Sequence, residues 1–368
     1  MSASTKTPVE INFALSCPTP LPVRDTILLG HGSGGKLSAE LIRDIFLPAF
    51  QNPVLARLDD QAIISVNGQR LAMTTDSFVV KPLFFPGGDI GSLAVHGTVN
   101  DLAMGGATPL FLSAAFIIEE GFSMDELRRI VNSLRQAACD AGVYIVTGDT
   151  KVVEKGKGDG LFINTTGIGL VPEGVDLSAD RARPGDKVIL SGSIGDHGIA
   201  ILAQREGLEF ETQIQSDSAA LHTLVAAMLG VTPNVTSDGT RQASDIRCMR
   251  DPTRGGVSST LNEIAERSQV GIELLESTLP IHEQVRGACE LLGLDPLYVA
   301  NEGKLIAIVA PEAAHAVLQA VRRHPLGAEA QIIGTVKKEN PGLVTMRTPL
   351  GTTRVVDMLA GDQLPRIC

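Results

Sequence analysis

Three features of this sequence have residue types suited to chemistry: a cysteine, a glycine-rich loop and a scattered set of aspartates. The cysteine stands in Leu364-Pro365-Arg366-Ile367-Cys368, where the sequence runs out. A thiol tethered on one side only is free to travel on an arm. Gly361-Asp362 is a turn signal, and Pro365 favours extended polyproline-like backbone over helix. Fully extended, residues 358–368 would reach roughly 36 Å at about 3.3 Å each. Cys368 is therefore a candidate covalent carrier, and an incidental cysteine in a frayed terminus is the competing reading.

The glycine loop is Gly30-His31-Gly32-Ser33-Gly34-Gly35-Lys36. Backbone N–H groups at Gly32, Ser33, Gly34 and Gly35 can approach a phosphate closely, and Lys36 supplies a cation. The spacing nearly matches a P-loop, but Leu37 follows where Ser or Thr would bind magnesium. A phosphate-contacting lid is expected here, not a Walker fold. The acidic set is Asp59-Asp60 before one predicted strand, Asp76 after another, Asp101 beside Asn100 in a Gly-flanked helix, and Asp149 after a strand ending at Val146. Magnesium takes hard oxygen ligands, normally one or two carboxylates plus phosphate oxygens. Asp60, Asp76, Asp101 and Asp149 are the candidate metal ligands. Any one of them could equally serve a turn or a cap.

Lys151, two residues after Asp149, could neutralise phosphate charge or polarise a substrate oxygen. Lys155 and Lys157 follow it, so a solvated lysine is the alternative. Arg254 precedes Gly255-Gly256, which opens a helix whose N-terminus can hold an anion. Glu302, in Ala300-Asn301-Glu302-Gly303-Lys304, is a candidate base in a tight turn. The seven histidines show no metal spacing and read as structural or solvated.

Elements must position these groups. Asn67-Gly68 between apolar runs 62–66 and 71–75 predicts a hairpin. Residues 89–104 predict a helix stopped at Gly105-Gly106, and 109–118 a long apolar strand. Ser123 with Glu126 three residues on predicts the start of a helix ending before Gly142. Strands are expected at 143–146, 161–171, 187–190, 304–309 and 331–335. Helices are expected near 194–205, 219–229, from 256 to Arg267, and over 311–323. This mixture is α+β, with a boundary in the turn cluster 181–186. Residues 1–24 read as an extension, 25–180 and 181–345 as two domains, and 346–368 as a tail.

The 368 residues suit about two domains, and 43% hydrophobic content supplies cores for them. A net charge of -11 disfavours a nucleic-acid surface but not ATP, which arrives with magnesium. No apolar run is long enough for a membrane span, and no signal peptide is evident. Five dispersed cysteines argue for a reducing, cytoplasmic setting.

Taken together, these stretches resemble the HypE family of hydrogenase maturation factors, within the ATP-dependent superfamily that includes aminoimidazole ribonucleotide synthetase. The similarity runs through residues 29–36, 74–80, 99–107, 147–153, 249–256, 261–265 and 300–304. The ending Pro365-Arg366-Ile367-Cys368 is the family-specific part. The resemblance implies a two-domain homodimer with ATP and magnesium in the first domain, and it adds Asn100 and Asn262 to the nucleotide contacts. It also implies that Cys368 accepts a carbamoyl group from the carbamoyltransferase HypF. ATP-dependent dehydration then yields a thiocyanate. The cyano group passes to the HypC–HypD complex, which builds the Fe(CN)2CO unit of nickel-iron hydrogenase. Other enzymes of the superfamily, a non-catalytic ATP-binding partner and a metal-donating tail are the alternatives.

Overall fold

The Asn67-Gly68 signal produces the turn it predicts. In the computed structural model, β1 (Ala62–Val66) and β2 (Gln69–Phe78) pair antiparallel with Val66 opposite Gln69. The two loop residues have φ of +49° and +81°, as a primed hairpin turn demands. The structure describes residues 26–208, 213–231, 245–361, 364 and 366–368. The expected extension, the polar stretch 233–244 and Pro365 lie outside these residues.

Strands β3 (Thr108–Glu119), β4 (Tyr144–Val153) and β5 (Leu161–Leu170) complete a five-stranded sheet in the order β1-β2-β5-β3-β4. Helix α1 (Ile90–Met104) starts where the Asp89 carboxylate accepts from the N–H groups of Gly91 (2.8 Å) and Ser92 (3.0 Å). Helix α2 (Met124–Asp140) is capped by Ser123 and buries Ile130, Leu134, Ala137 and Ala138, a one-face spacing. Both helices lie on one face of the sheet. The other face leaves Met73, Phe111, Tyr144, Val146 and Ile168 exposed.

One expected boundary is corrected. The strand read as ending at Val146 continues to Val153, because parallel pairing with β3 carries it through the polar run. Asp149 therefore stands mid-strand opposite Ala115, and Lys151 opposite Ile117.

The second sheet has seven strands: β6 (Lys187–Leu190), β7 (Ile246–Arg250), β8 (Gly271–Leu275), β9 (Ile306–Val309), β10 (Gln331–Lys337), β11 (Val344–Arg347) and β12 (Thr353–Val355). Their order is β12-β11-β8-β10-β6-β9-β7. Helices α3 (Asp196–Glu206), α4 (His222–Leu229), α5 (Gly256–Ser268), α6 (Glu283–Leu292) and α7 (Ala314–Arg323) belong to this half. The residues of β9 are all buried, which explains its unbroken apolar run. Strand β7 begins at Ile246, just after the polar stretch 233–244. Strands β11 and β12 pair inside the segment read as a tail, so the sheet holds the chain to Val355.

The two halves share a core. Ala72, Leu102 and Met104 of the first pack with Leu224, Met228, Leu305 and Val317 of the second. Among the described residues, no helix is long and apolar enough to cross a membrane.

Candidate active site

The end of the tail is docked. It pairs with the chain just beyond β2: the Val79 N–H donates to the Cys368 carbonyl (2.9 Å) and the Lys81 N–H to the Arg366 carbonyl (3.1 Å). Arg205 reaches the same Arg366 carbonyl at 2.7 Å, and the Arg366 side chain meets Asp159. Ile367 is buried in the first-domain core. The half-buried thiol of Cys368 lines a cavity of about 170 Å³ with Ser33, Ser77, Arg254 and Tyr298. That is smaller than the roughly 300–1,000 Å³ of most small-molecule sites. The tail itself and the glycine loop form part of its wall.

Around this thiol the fold gathers acids from both halves. Burial pushes the Cys368 thiol up to about 12; Arg254 pulls it down, while Glu302, Asp76 and Asp251 push it further up. The docked sulfur therefore stays protonated near neutrality. Glu302 is buried, and its carboxyl is raised well above the ordinary range, first by desolvation and then by Asp251 and Asp76. Asp101 is raised well above that range too, by burial and then by Asp251, Asp76 and Asp60. Asp76 is raised by burial, against the pull of Arg254. Asp60 shows which effect wins: Arg250 sits 2.8 Å away, yet desolvation still lifts it to about 6. Arg254 stays charged despite its burial, because a guanidinium titrates far above neutrality, and its charge faces Cys368, Asp76, Glu302 and Asp101.

Among the described residues, no three His, Cys, Asp or Glu side chains form a ready metal cage. However, Asp60 Oδ2 and Glu302 Oε1 are buried without a hydrogen-bond partner. Mutually repelling carboxylates with orphaned oxygens are a donor set that fits a hard divalent cation with phosphate.

This repulsion has a consequence for stability. Asp101 has a raised folded pKa, so its favourable contribution is complete below its unfolded pKa and is lost as pH rises through the folded value. Asp101→Asn removes the charge and is expected to raise the melting temperature of the ligand-free protein at pH 7.5 by about 1–2 °C, for about 1 kcal/mol over a chain of this length. The gain should shrink toward pH 5. Calorimetry showing an equal or lower melting temperature at both pH values would contradict this account of the cluster.

The glycine loop folds as a 3-10 turn (Leu29–Gly32) followed by a short helix (Lys36–Leu41). Gly34 has φ +73°, and a Cβ there would lie 2.5 Å from the Arg254 carbonyl oxygen. The close approach that the glycines permit is thus to the protein's own backbone. Arg254 donates to the Gly32 carbonyl (3.1 Å), and Ser33 Oγ to that of Gly361 (3.0 Å). The Lys36 N–H donates to the Leu359 carbonyl (2.8 Å), and its Nζ pairs with Asp357 at 2.5 Å. The loop covers the site, with Lys36 turned to a carboxylate of the chain itself.

Four expected site residues are placed differently. Both amide hydrogens of Asn100 go to backbone, at Ala219 (3.0 Å) and Glu302 (3.2 Å), so it clamps the halves together and fixes the Glu302 turn. Asn262 Nδ2 donates to the Ser258 and Val356 carbonyls. Asp149 and Lys151 pair with each other at 2.7 Å on exposed β4, outside the group around Cys368. Asp251 belongs to the acidic group, although only its neighbour Arg254 had been given a role from sequence. Its position after the β7 arginine was the available signal.

A two-domain α+β chain with a closed glycine loop over interdomain carboxylates defines a class. Residues 58–171 match the family model described as AIR synthase related protein, N-terminal domain, and residues 183–346 match the corresponding C-terminal domain. Within that class, the chain is 59% identical over 338 residues to carbamoyl dehydratase HypE of Azotobacter vinelandii, spanning 92% of this chain and 96% of the relative. HypE in a HypE–HypF complex has 49% identity and a TM-score of 0.80, covering 87% of this chain and 99% of that one. HypE solved in complex with ATP has 52% identity and a TM-score of 0.75, covering 93% and 100%. The chain belongs to the HypE carbamoyl dehydratase family of AIR synthase-related proteins.

Proposed function

We propose that this protein dehydrates an S-carbamoyl group on Cys368 to a thiocyanate at the expense of ATP. The observation that carries this reading is the docking of Cys368 by its own backbone beside Arg254 and Glu302. The carbamoyl oxygen attacks the γ-phosphorus of ATP and ADP leaves. Arg254 offsets the charge on the transferring phosphoryl group. Glu302 removes the two N–H protons in turn, and its raised pKa makes it the stronger base for doing so. The C–O bond then breaks as the C≡N bond completes. The carbamoyl oxygen departs in phosphate, one proton stays on that phosphate, and the other reaches solvent. Magnesium, when bound, would neutralise phosphate charge, and Asp60, Asp76 and Asp101 are the residues we assign to it. Purified carbamoylated protein should release one ADP and one phosphate per thiocyanate formed. ADP release without thiocyanate would defeat the reading.

The docked thiol is protonated, so it is suited to a neutral carbamoyl sulfur and not to accepting the group. Loading therefore belongs to an undocked tail presented to HypF, and delivery to a HypC–HypD complex. A cytoplasmic setting suits both steps.

We also assign a homodimer to the uncovered face of the first sheet. Phe111, Tyr144, Val146 and Ile168 are 43%, 73%, 61% and 40% exposed there, and covering what remains exposed would contribute about 1 kcal/mol each. Asp149 and Lys151 stand on the same strand as Tyr144 and Val146, so a second copy could bring them to its neighbour's site. Light scattering at micromolar concentration should give a dimer mass, and Val146→Asp should shift it toward monomer. A monomeric wild type would remove this assignment.

A further inference from the structure

We propose that helix α3 is the docking rail of the tail, with His197 as the positioning residue that anchors the tail where Cys368 enters the site. The purpose of that anchoring rests on the dehydratase reading, whereas the docking itself does not. The tail pairs with Val79 and Lys81 through the carbonyls of residues 368 and 366, and Arg366 stands at φ +56°, so the pairing is not a regular strand. Two backbone hydrogen bonds on one edge leave the Ile367 carbonyl on the other edge in need of a partner.

Helix α3 supplies that partner and others. His197 Nε2 lies 2.6 Å from the carbonyl of Ile367, the residue between the two paired ones. The ring is fully buried, with its edge toward Phe85. Its tautomer is fixed by the tail itself: a carbonyl can only accept, so Nε2 carries the proton and donates to Ile367. In the neutral ring Nδ1 then accepts from the Ser216 hydroxyl (2.7 Å), whose oxygen also accepts from the Ser218 N–H (3.1 Å). Burial favours the neutral ring. Two other residues of the helix face the tail. Arg205 donates to the Arg366 carbonyl, and Gly198 leaves room for Leu364, whose Cδ1 lies 3.3 Å from where a Cβ would be. When the tail leaves, a buried N–H loses its acceptor, so the docked tail is favoured over a free one.

The test is amide exchange at Val79 and Lys81 in the unmodified, nucleotide-free full chain, with single-turnover dehydration of the carbamoylated chain read in parallel. In His197→Ala, exchange at both amides should accelerate and dehydration should slow, each about tenfold, with ATP affinity unchanged. His197→Gln restores an N–H donor and should recover most of both. Unchanged exchange in His197→Ala would overturn the proposal, and so would a fall in ATP affinity matching the loss of rate in both variants. If His197→Ala does not fold, Ser216→Ala decides: exchange about threefold faster supports the anchoring role, and unaltered exchange sinks it. If wild type docks its tail but forms no thiocyanate, the dehydratase reading fails while the exchange result still judges His197.

Discussion

Cys368→Ala is expected to take up no carbamoyl group and to form no thiocyanate, while binding ATP as wild type does. The loss should be complete, because no other described thiol is equivalent. Cys248 is buried, with its thiol pushed far up by desolvation, and Cys289 is buried and pushed up to about 11. Cys139 is exposed but lies on helix α2, away from the group around Arg254. The tail should still dock in this variant, since backbone groups hold it. Peptide mapping after incubation with HypF, carbamoyl phosphate and ATP would expose an error: a carbamoylated peptide containing Cys17, Cys139, Cys248 or Cys289 would move the chemistry elsewhere.

Glu302→Gln is expected to accept the carbamoyl group normally and then to dehydrate it about 10²–10⁴-fold more slowly, the usual contribution of a positioned base. Gln keeps the shape of the turn that Asn100 and Asp217 hold from both sides. It also removes a carboxyl raised by burial and then by Asp251 and Asp76, so the variant should be no less stable than wild type at neutral pH. The wild-type rate carries a matching sign. A raised carboxyl is deprotonated only above its elevated pKa, so single-turnover dehydration should climb with pH beyond the ordinary carboxylate range. Glu302→Gln should lack that limb. A variant rate within about threefold of wild type would remove Glu302 as the base.

How much of this was legible depended on whether the cause lay near in sequence. The 62–78 hairpin and the caps at Asp89 and Ser123 are local events, and Asn67-Gly68, Asp89 and Ser123 announce them. Strand β4 was cut short because Thr-Gly-Asp-Thr reads as a turn, whereas its length is set by β3 alongside. Strands β8, β11 and β12 are short and carried little local signal, whereas helix α6 was passed over although Val285, Ala288 and Cys289 share a face and Gly293 stops it. The chemistry showed a similar split. Cys368, Arg254, Glu302, Asp60, Asp76 and Asp101 were nominated by type and neighbourhood, and the fold brings them within range of one another's charge. The use of Asn100 and Asn262 as backbone clamps could not be read, because each partner is supplied by packing of distant segments. His197 was dismissed as structural for the same reason: its acceptor lies at Ile367, in the docked tail.

The most direct measurement of the central claim is the intact mass of the full chain, followed in time with HypF, carbamoyl phosphate, ATP and magnesium. The account predicts the gain of one carbamoyl group per chain, then the loss of one water from that adduct only when ATP is present, with both changes confined to the peptide ending in Cys368. An adduct that persists unchanged with ATP, or a water loss that proceeds without it, would contradict the account.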